Sequence, residues 1–297
     1  MWSLHVLPAL HGDALWLEYG NSSRKHSVLI DGGPRSKETT SLLERLLGGP
    51  AKLALIVVTH IDADHITGVL SMFENPRVVL NPEDVWFNGW PHLPSDLLGA
   101  PQGEALSTAI LRRRMRWNSA FGGGPVAVPD EGPLPRIELS GGLVITLLSP
   151  TLRKLAELRP VWKREVEKAG LVPGMAAEEP HQEPDRLGEK DIDIERLADR
   201  PFEEDASAAN GASIAMLAEF ENRSLLLSGD AHAGVLTSQL RRLATERKVN
   251  RVAVDIFKVP HHGSRTTSAM SWSPPSNAND GSSPPTALYT DIPTRKR

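Results

Sequence analysis

The chain has 297 residues, 40% of them hydrophobic and 24% charged, with a net charge of −4 and no cysteine. This is ordinary composition for a soluble globular protein, and the length allows one large domain or two small ones. Lack of cysteine excludes disulfides and thiolate metal ligands and fits a reducing cytoplasm, while no run approaches the ~18 apolar residues of a membrane span. Met1-Trp2-Ser3-Leu4-His5 lacks a basic stretch leading into a long apolar one, so no signal peptide and a cytoplasmic location are expected. The charge is uneven: twelve acidic and four basic residues lie between Glu178 and Asp205, leaving a modestly basic remainder. Such a body is compatible with a phosphate-bearing substrate.

In chain order, Ser3–Ala9, Ala14–Tyr19 and Ser27–Ile30 read as three strands joined by Gly/Asp/Asn turns. Glu38–Leu47 has helical spacing and stops at Gly48-Gly49-Pro50. Leu53–Val58 is an unbroken apolar run, read as a buried strand. His65–Phe73 is expected to be helical and Arg77–Leu80 a strand. Residues 82–135, rich in Pro, Gly and Trp, read as an insertion. Trp86, Trp90 and Trp117 are taken as core packing, with a lid over the site as the alternative. A helix is expected from Ala105 to Trp117; its Arg112, Arg113, Arg114 and Arg116 are read as a solvated face, the alternative being a phosphate clamp.

Further strands are expected at Leu143–Leu148, Ser213–Phe220, Ser224–Leu227 and Val252–Val259, with helices at Leu152–Ala169 and Ala233–Thr245. The acidic stretch 174–206 reads as a mobile loop and 266–297 as a disordered low-complexity tail. One domain over 1–265, interrupted by the insertions at about 82–135 and 174–206, is the expected organisation.

The chemistry concentrates at strand ends. His60-Ile61-Asp62-Ala63-Asp64-His65 places two imidazoles and two carboxylates directly after the Leu53–Val58 run. No structural role demands such a cluster, whereas a metal does. Two more apolar strands end in potential ligands, one at Asp230 and one at His261-His262. Converging strand ends are how α/β proteins build sites. Paired divalent ions held there generate hydroxide near neutral pH and clamp a phosphoryl or acyl oxygen.

The His60-x-Asp62-x-Asp64-His65 stretch resembles the H-x-H-x-D-H motif of metallo-β-lactamase-fold hydrolases. Gly12-Asp13-Ala14, Ile30-Asp31-Gly32-Gly33, Ser228-Gly229-Asp230 and Val259-Pro260-His261-His262-Gly263-Ser264 occur in the order of that family. The set is most similar to the metallohydrolase domain of the DNA-uptake protein ComEC and its soluble relatives. The resemblance spans residues 3–265. It implies an α/β fold, a four-layer αββα sandwich with a dinuclear site at the sheet edges.

It also implies roles. His60 and Asp62 would hold a first metal, Asp64 and His65 a second, and Asp230 would bridge them. One of His261 and His262 would complete the second site, His262 being favoured, while the other contacts substrate; the two roles are exchangeable. Asp64 would also orient the hydroxide. Asp31 would fix a ligand histidine from behind, or cap its own glycine turn. Asn210 stands where many relatives carry histidine and is a candidate for weak ligation, substrate polarisation or a turn. Ser264 is a candidate anion contact or turn residue.

Asp62 stands where most members have histidine, and the harder oxygen donor favours Mn²⁺ over Zn²⁺. The implied cofactors are two divalent ions, Zn²⁺ or Mn²⁺. The implied activity is hydrolysis of a phosphodiester in nucleic acid or a nucleotide, the rivals being an acyl hydrolase (lactonase, thioesterase or β-lactamase-like) and a non-catalytic sensor domain of a larger assembly. Relatives continue past the P-H-H-G-S motif with another strand; here the sequence turns low-complexity, leaving a sheet edge open or completed by a protein partner or second copy. His232 and His92 are read as solvent contacts, and Lys258 as an edge-strand lysine rather than a phosphate ligand.

Overall fold

The computed structural model describes residues 1–94, 101–168 and 207–263. The expected loop 174–206 (with His181 inside it), the expected tail and Ser264 lie outside them. The described residues form two mixed five-stranded sheets flanked by helices. In the first sheet, β1 (Trp2–Val6), β2 (Leu15–Gly20) and β3 (Lys25–Ile30) pair antiparallel. Then β4 (Lys52–Val57) and β5 (Asp84–Trp86) continue parallel to β3. The second sheet runs in the order β10 (Ile256–Lys258), β9 (Arg223–Leu227), β8 (Ala215–Phe220), β7 (Val144–Ser149), β6 (Arg136–Glu138), with only β9 and β10 parallel.

The side-chain period of two sorts the first sheet onto two cores. Leu15, Leu17, Tyr19, Val28, Ile30, Leu55 and Val57 join residues of the second sheet in one apolar cluster. Trp16, Leu29, Ile56 and Val58 face the other way, onto the helices α1 (Lys37–Leu47), α2 (Ala63–Glu74), α3 (Pro101–Arg112) and α4 (Leu152–Lys168). Burial on both faces is why Leu53–Val58 carries no polar residue. On the far side α6 (Ala233–Glu246) packs on β7 and inserts Leu236 and Leu243. The layers are thus helix, sheet, sheet, helix.

Three expectations need correction here. Arg77–Leu80 is not a strand, although its apolar side chains alternate, with Val78 and Leu80 buried and Val79 exposed. The place beside β4 is taken by Asp84–Trp86, and the Val78 carbonyl accepts from Arg113 Nη1 at 3.1 Å. The Ala105–Trp117 helix lies earlier, at Pro101–Arg112, and Trp117 instead bridges to Val85. The arginines are not uniformly solvated. Arg113 also donates to the carbonyls of Phe73 at 2.6 Å and Asn75 at 2.8 Å, which are carbonyls that the end of α2 leaves without helical partners. The short β6 strand escapes sequence reading, because its three residues Arg136-Ile137-Glu138 alternate like any polar loop.

Close backbone contact locks α2 in place. A Cβ on Gly32 would fall 2.4 Å from the Val69 nitrogen, and one on Gly68 would fall 1.9 Å from the Gly32 oxygen. The two glycines therefore let the turn after β3 lie against α2, where Gly32 N–H donates to His65 O at 3.0 Å and Gly68 N–H to Gly33 O at 2.8 Å.

Candidate metal centre

The side chains that come together leave strand ends or helix starts along one rim of the two sheets. Asp13 sits in the β1–β2 turn, Asp31 directly after β3, His60 just past β4, and Asp62–His65 at the opening of α2. Asp230 follows β9, and His262 follows β10. The His261–His262–Gly263 backbone is left-handed, with φ of 46°, 51° and 77°. Non-glycine residues seldom adopt that conformation, and here it turns the His262 ring back over the rim. Asp62 is the N-cap of α2, yet its carboxylate makes no capping hydrogen bond. It lies instead 3.5 Å from His60 Nε2.

Asp13, His65, Asp230 and His262 form the centre; one donor atom from each falls within 4.8 Å of the others. Asp230 Oδ2 is 3.5 Å from His65 Nε2 and 3.5 Å from His262 Nε2. Asp64 Oδ2 borders both, 3.8 Å from His65 Nε2 and 3.7 Å from His262 Nε2. His60 lies beside His65, with ring centroids 4.2 Å apart and planes tilted by 50°. Asp31 is fully buried with φ 56°. Its carboxylate accepts from Thr59 N–H at 2.7 Å, from Thr59 Oγ1 at 2.7 Å and from His65 Nδ1 at 2.9 Å. That places Asp31 behind a histidine of the centre.

The hydrogen bonds decide which imidazole nitrogens are bare. Thr59 Oγ1 spends its only proton on Asp31, so at 2.9 Å it accepts from His60 Nδ1–H. His65 Nδ1–H is committed to Asp31. In the neutral form of each ring the lone pair is then on Nε2. The Nε2 atoms of His60, His65 and His262 are buried and make no hydrogen bond. Such orphans are costly in a folded protein unless something binds them. Two donors on one tetrahedral ion at about 2.1 Å stand about 3.4 Å apart, close to the spacings here. The nitrogen and carboxylate donors therefore fit a divalent cation.

Electrostatics give the same answer. Burial works against charge on His65, yet Asp31 and Asp230 push its imidazole up to about 10. Burial likewise opposes charge on His262, and Asp13, Asp230 and Asp64 push it up to about 11. Burial would raise the carboxyls of Asp230, Asp13 and Asp64, but the facing cations win: His262, His65 and Lys258 hold Asp230 far below the usual carboxylate range, Lys258 with His262 and His65 does so for Asp13, and His262 and His65 lower Asp64. The centre demands positive charge, and without a metal it takes protons.

Two members of this arrangement are not among the expected site residues. Asp13 appears in the sequence only as part of a glycine turn. Lys258, read as an edge-strand lysine, reaches into the centre: Nζ pairs with Asp13 Oδ2, donates to Gly229 O at 2.9 Å and lies 3.5 Å from Asp230 Oδ1. The signal that finds Asp13 is its place in a strand-connecting turn at the same rim as the candidate ligands.

Other candidates fall elsewhere. His261 is next to the cluster but outside it, its ring 6.2 Å from that of His262. Asn210 is buried in the short helix α5 (Ala208–Gly211). His232 and His92, expected in solvent, are both buried: His232 Nε2 pairs with Ser207 O at 2.9 Å, and His92 Nδ1 accepts from Gly89 N–H at 3.1 Å. Among the described residues no helix is long and apolar enough to cross a membrane.

A family model described as the metallo-beta-lactamase superfamily matches residues 9–273. Among solved structures, the chain is similar to a beta-lactamase domain protein from Burkholderia ambifaria, at 14% identity and a TM-score of 0.26 over 50% of this chain and 45% of that one. The chain thus matches less than half of that neighbour's length. No curated protein matches it.

Proposed function

The chain belongs to the metallo-β-lactamase superfamily, whose members are largely metal-dependent hydrolases, and from that premise we propose that it is a phosphodiesterase acting on nucleic acid or a nucleotide. One observation carries the metal-dependent part: three buried Nε2 atoms that make no hydrogen bond, with Asp230 at 3.5 Å from two of them. His65, Asp230 and His262, with Asp64 beside them, would hold one divalent ion. His60 and Asp62 would contribute to a second. When bound, the ions would supply Lewis acidity and a nucleophile at neutral pH.

The chain's own residues do the rest. Asp31, through Thr59 and directly, keeps His60 and His65 in the tautomer that leaves Nε2 bare. Lys258 adds a fixed positive charge to a carboxylate-rich pocket, complementary to an anionic phosphoryl group. His261, at the border of the cluster, is assigned as the proton donor to the departing oxygen. The phosphodiester, rather than acyl, substrate is supported by the combined His60–His65 and Pro260–Ser264 motifs and their likeness to ComEC-type domains. That is a warrant by analogy.

The test is a substrate panel with Mn²⁺ and with Zn²⁺: bis-p-nitrophenyl phosphate, single- and double-stranded DNA, RNA and cyclic nucleotides, against esters, thioesters, lactones and lactams. Cleavage of phosphodiesters that disappears in Asp64→Ala/His65→Ala supports the reading. Turnover confined to the acyl substrates sinks it in favour of an acyl hydrolase. No turnover with metal bound favours a binding domain.

A further inference from the structure

We propose that Asp13 is a positioning residue, held by Lys258, that fixes His262 so that its Nε2 rather than its Nδ1 faces the metal. The inference rests on the metal-centre reading above and concerns a different question, namely which atoms bind. By donor count alone, Asp13 is a fourth ligand. Its surroundings argue otherwise.

Both carboxylate oxygens of Asp13 already face a cationic or N–H partner. Oδ2 is paired with the Lys258 ammonium, and Oδ1 lies 3.5 Å from His262 Nδ1. The opposite edge of the His262 ring carries Nε2, which points at Asp230 and Asp64. On the other side of the centre the same pattern recurs: Asp31 takes His65 Nδ1, and His65 Nε2 points at Asp230 and Asp64. His262 Nδ1 is thus backed by Asp13 and His65 Nδ1 chiefly by Asp31, with Asp13 Oδ2 farther off at 3.9 Å, and both rings are aimed at the same pair of carboxylates. A ligand histidine gains orientation and basicity when its second nitrogen donates to a carboxylate.

Lys258 keeps Asp13 in that role. Its ammonium is tied on three sides, to Asp13, to Gly229 O and to Asp230. The main chain bearing it is tied too, since Ser228 Oγ donates to Lys258 O at 2.5 Å. Gly12 sets the height of the Asp13 turn, because a Cβ there would fall 1.7 Å from the Asp64 carbonyl oxygen. Asp13 is therefore fixed against both α2 and β10, where it faces the Nδ1 edge of His262.

The test is the tautomer of His262 in zinc-loaded protein, read from long-range ¹H–¹⁵N spectra, with zinc affinity measured by chelator competition. The wild type should show His262 bound through Nε2, with a proton on Nδ1. Asp13→Ala should keep zinc with affinity reduced about 10- to 100-fold and lose the protected Nδ1 proton of His262 but not that of His65. Because Asp13→Ala strands a buried lysine, Asp13→Asn/Lys258→Met, which removes both charges at similar volume, serves as the second variant and should show the same weakening. Zinc bound by the wild type through His262 Nδ1, or affinity unchanged in both variants, overturns the proposal while leaving the metal centre standing. Failure of the wild type to bind zinc overturns the metal centre and this proposal together.

Discussion

Asp31 Oδ2 accepts from two donors, His65 Nδ1 at 2.9 Å and Thr59 Oγ1 at 2.7 Å, so one buried carboxylate controls two imidazoles. Thr59→Val is expected to separate them. It removes the acceptor for His60 Nδ1 and leaves the Asp31–His65 contact intact. Leaving that nitrogen unpaired should cost about 1–3 kcal/mol of stability, seen in urea unfolding. Metal affinity of the portion held by His60 should fall about tenfold, with the ion held by His65 and Asp230 retained. Equal loss of both ions would show that Thr59 is not specific to His60.

Metal-free protein should be most stable in mildly acidic solution. The carboxylates facing His65 and His262 push them up to about 10 and about 11, above the ordinary 6.5. Their contribution is therefore fully present below about pH 6.5 and lost as pH rises toward 10 and 11. Asp13 and Asp230 are held below 3.8, so theirs is present above that value and lost as pH falls. Melting temperatures of chelated protein from pH 4 to 10 should peak between about 4 and 6.5. A midpoint that climbs steadily to pH 9 would contradict this.

Metal binding must displace the same protons. Loading at pH 7 should release about two protons per chain, one each from His65 and His262. Calorimetry in buffers of different ionisation enthalpy reads that number directly. A release near zero would mean that these histidines are not the ligands.

Arg113 is assigned to stability. Its guanidinium satisfies carbonyls at the end of α2, the helix whose start carries Asp64 and His65. Arg113→Ala should cost about 2–3 kcal/mol and lower the melting temperature, with kcat and KM of the surviving folded enzyme unchanged. A rise in KM without a loss of stability would restore the phosphate-clamp reading.

How much of this was legible in the sequence depends on the range of the forces involved. β4 and α2 announce themselves because period and burial are local: six apolar residues, then a helix with His65, Ile66, Val69 and Phe73 on its buried side. The concentration of ligands at His60–His65 is local as well. Arg77–Leu80 misleads because alternation is necessary for a strand but a partner is also required, and a side chain from after α3 takes the Val78 carbonyl. Asp13 and Lys258 stay hidden for the same reason. Each sits in an unremarkable turn or edge strand, and their meeting depends on two sheets packing face to face. His232, at the opening of a helix, and His92, in an insertion, read as solvated and prove buried, paired to the backbone of Ser207 and Gly89.

The most direct test of the centre is divalent metal content of wild-type protein beside Asp230→Ala and His65→Ala, each checked for native circular dichroism. With His65, Asp230 and His262 as shared donors, the wild type should hold at least about one Zn²⁺ or Mn²⁺ per chain through gel filtration, and both variants should lose it while staying folded. A wild type that retains less than that after reconstitution, or folded variants that bind as well as it does, would contradict the account.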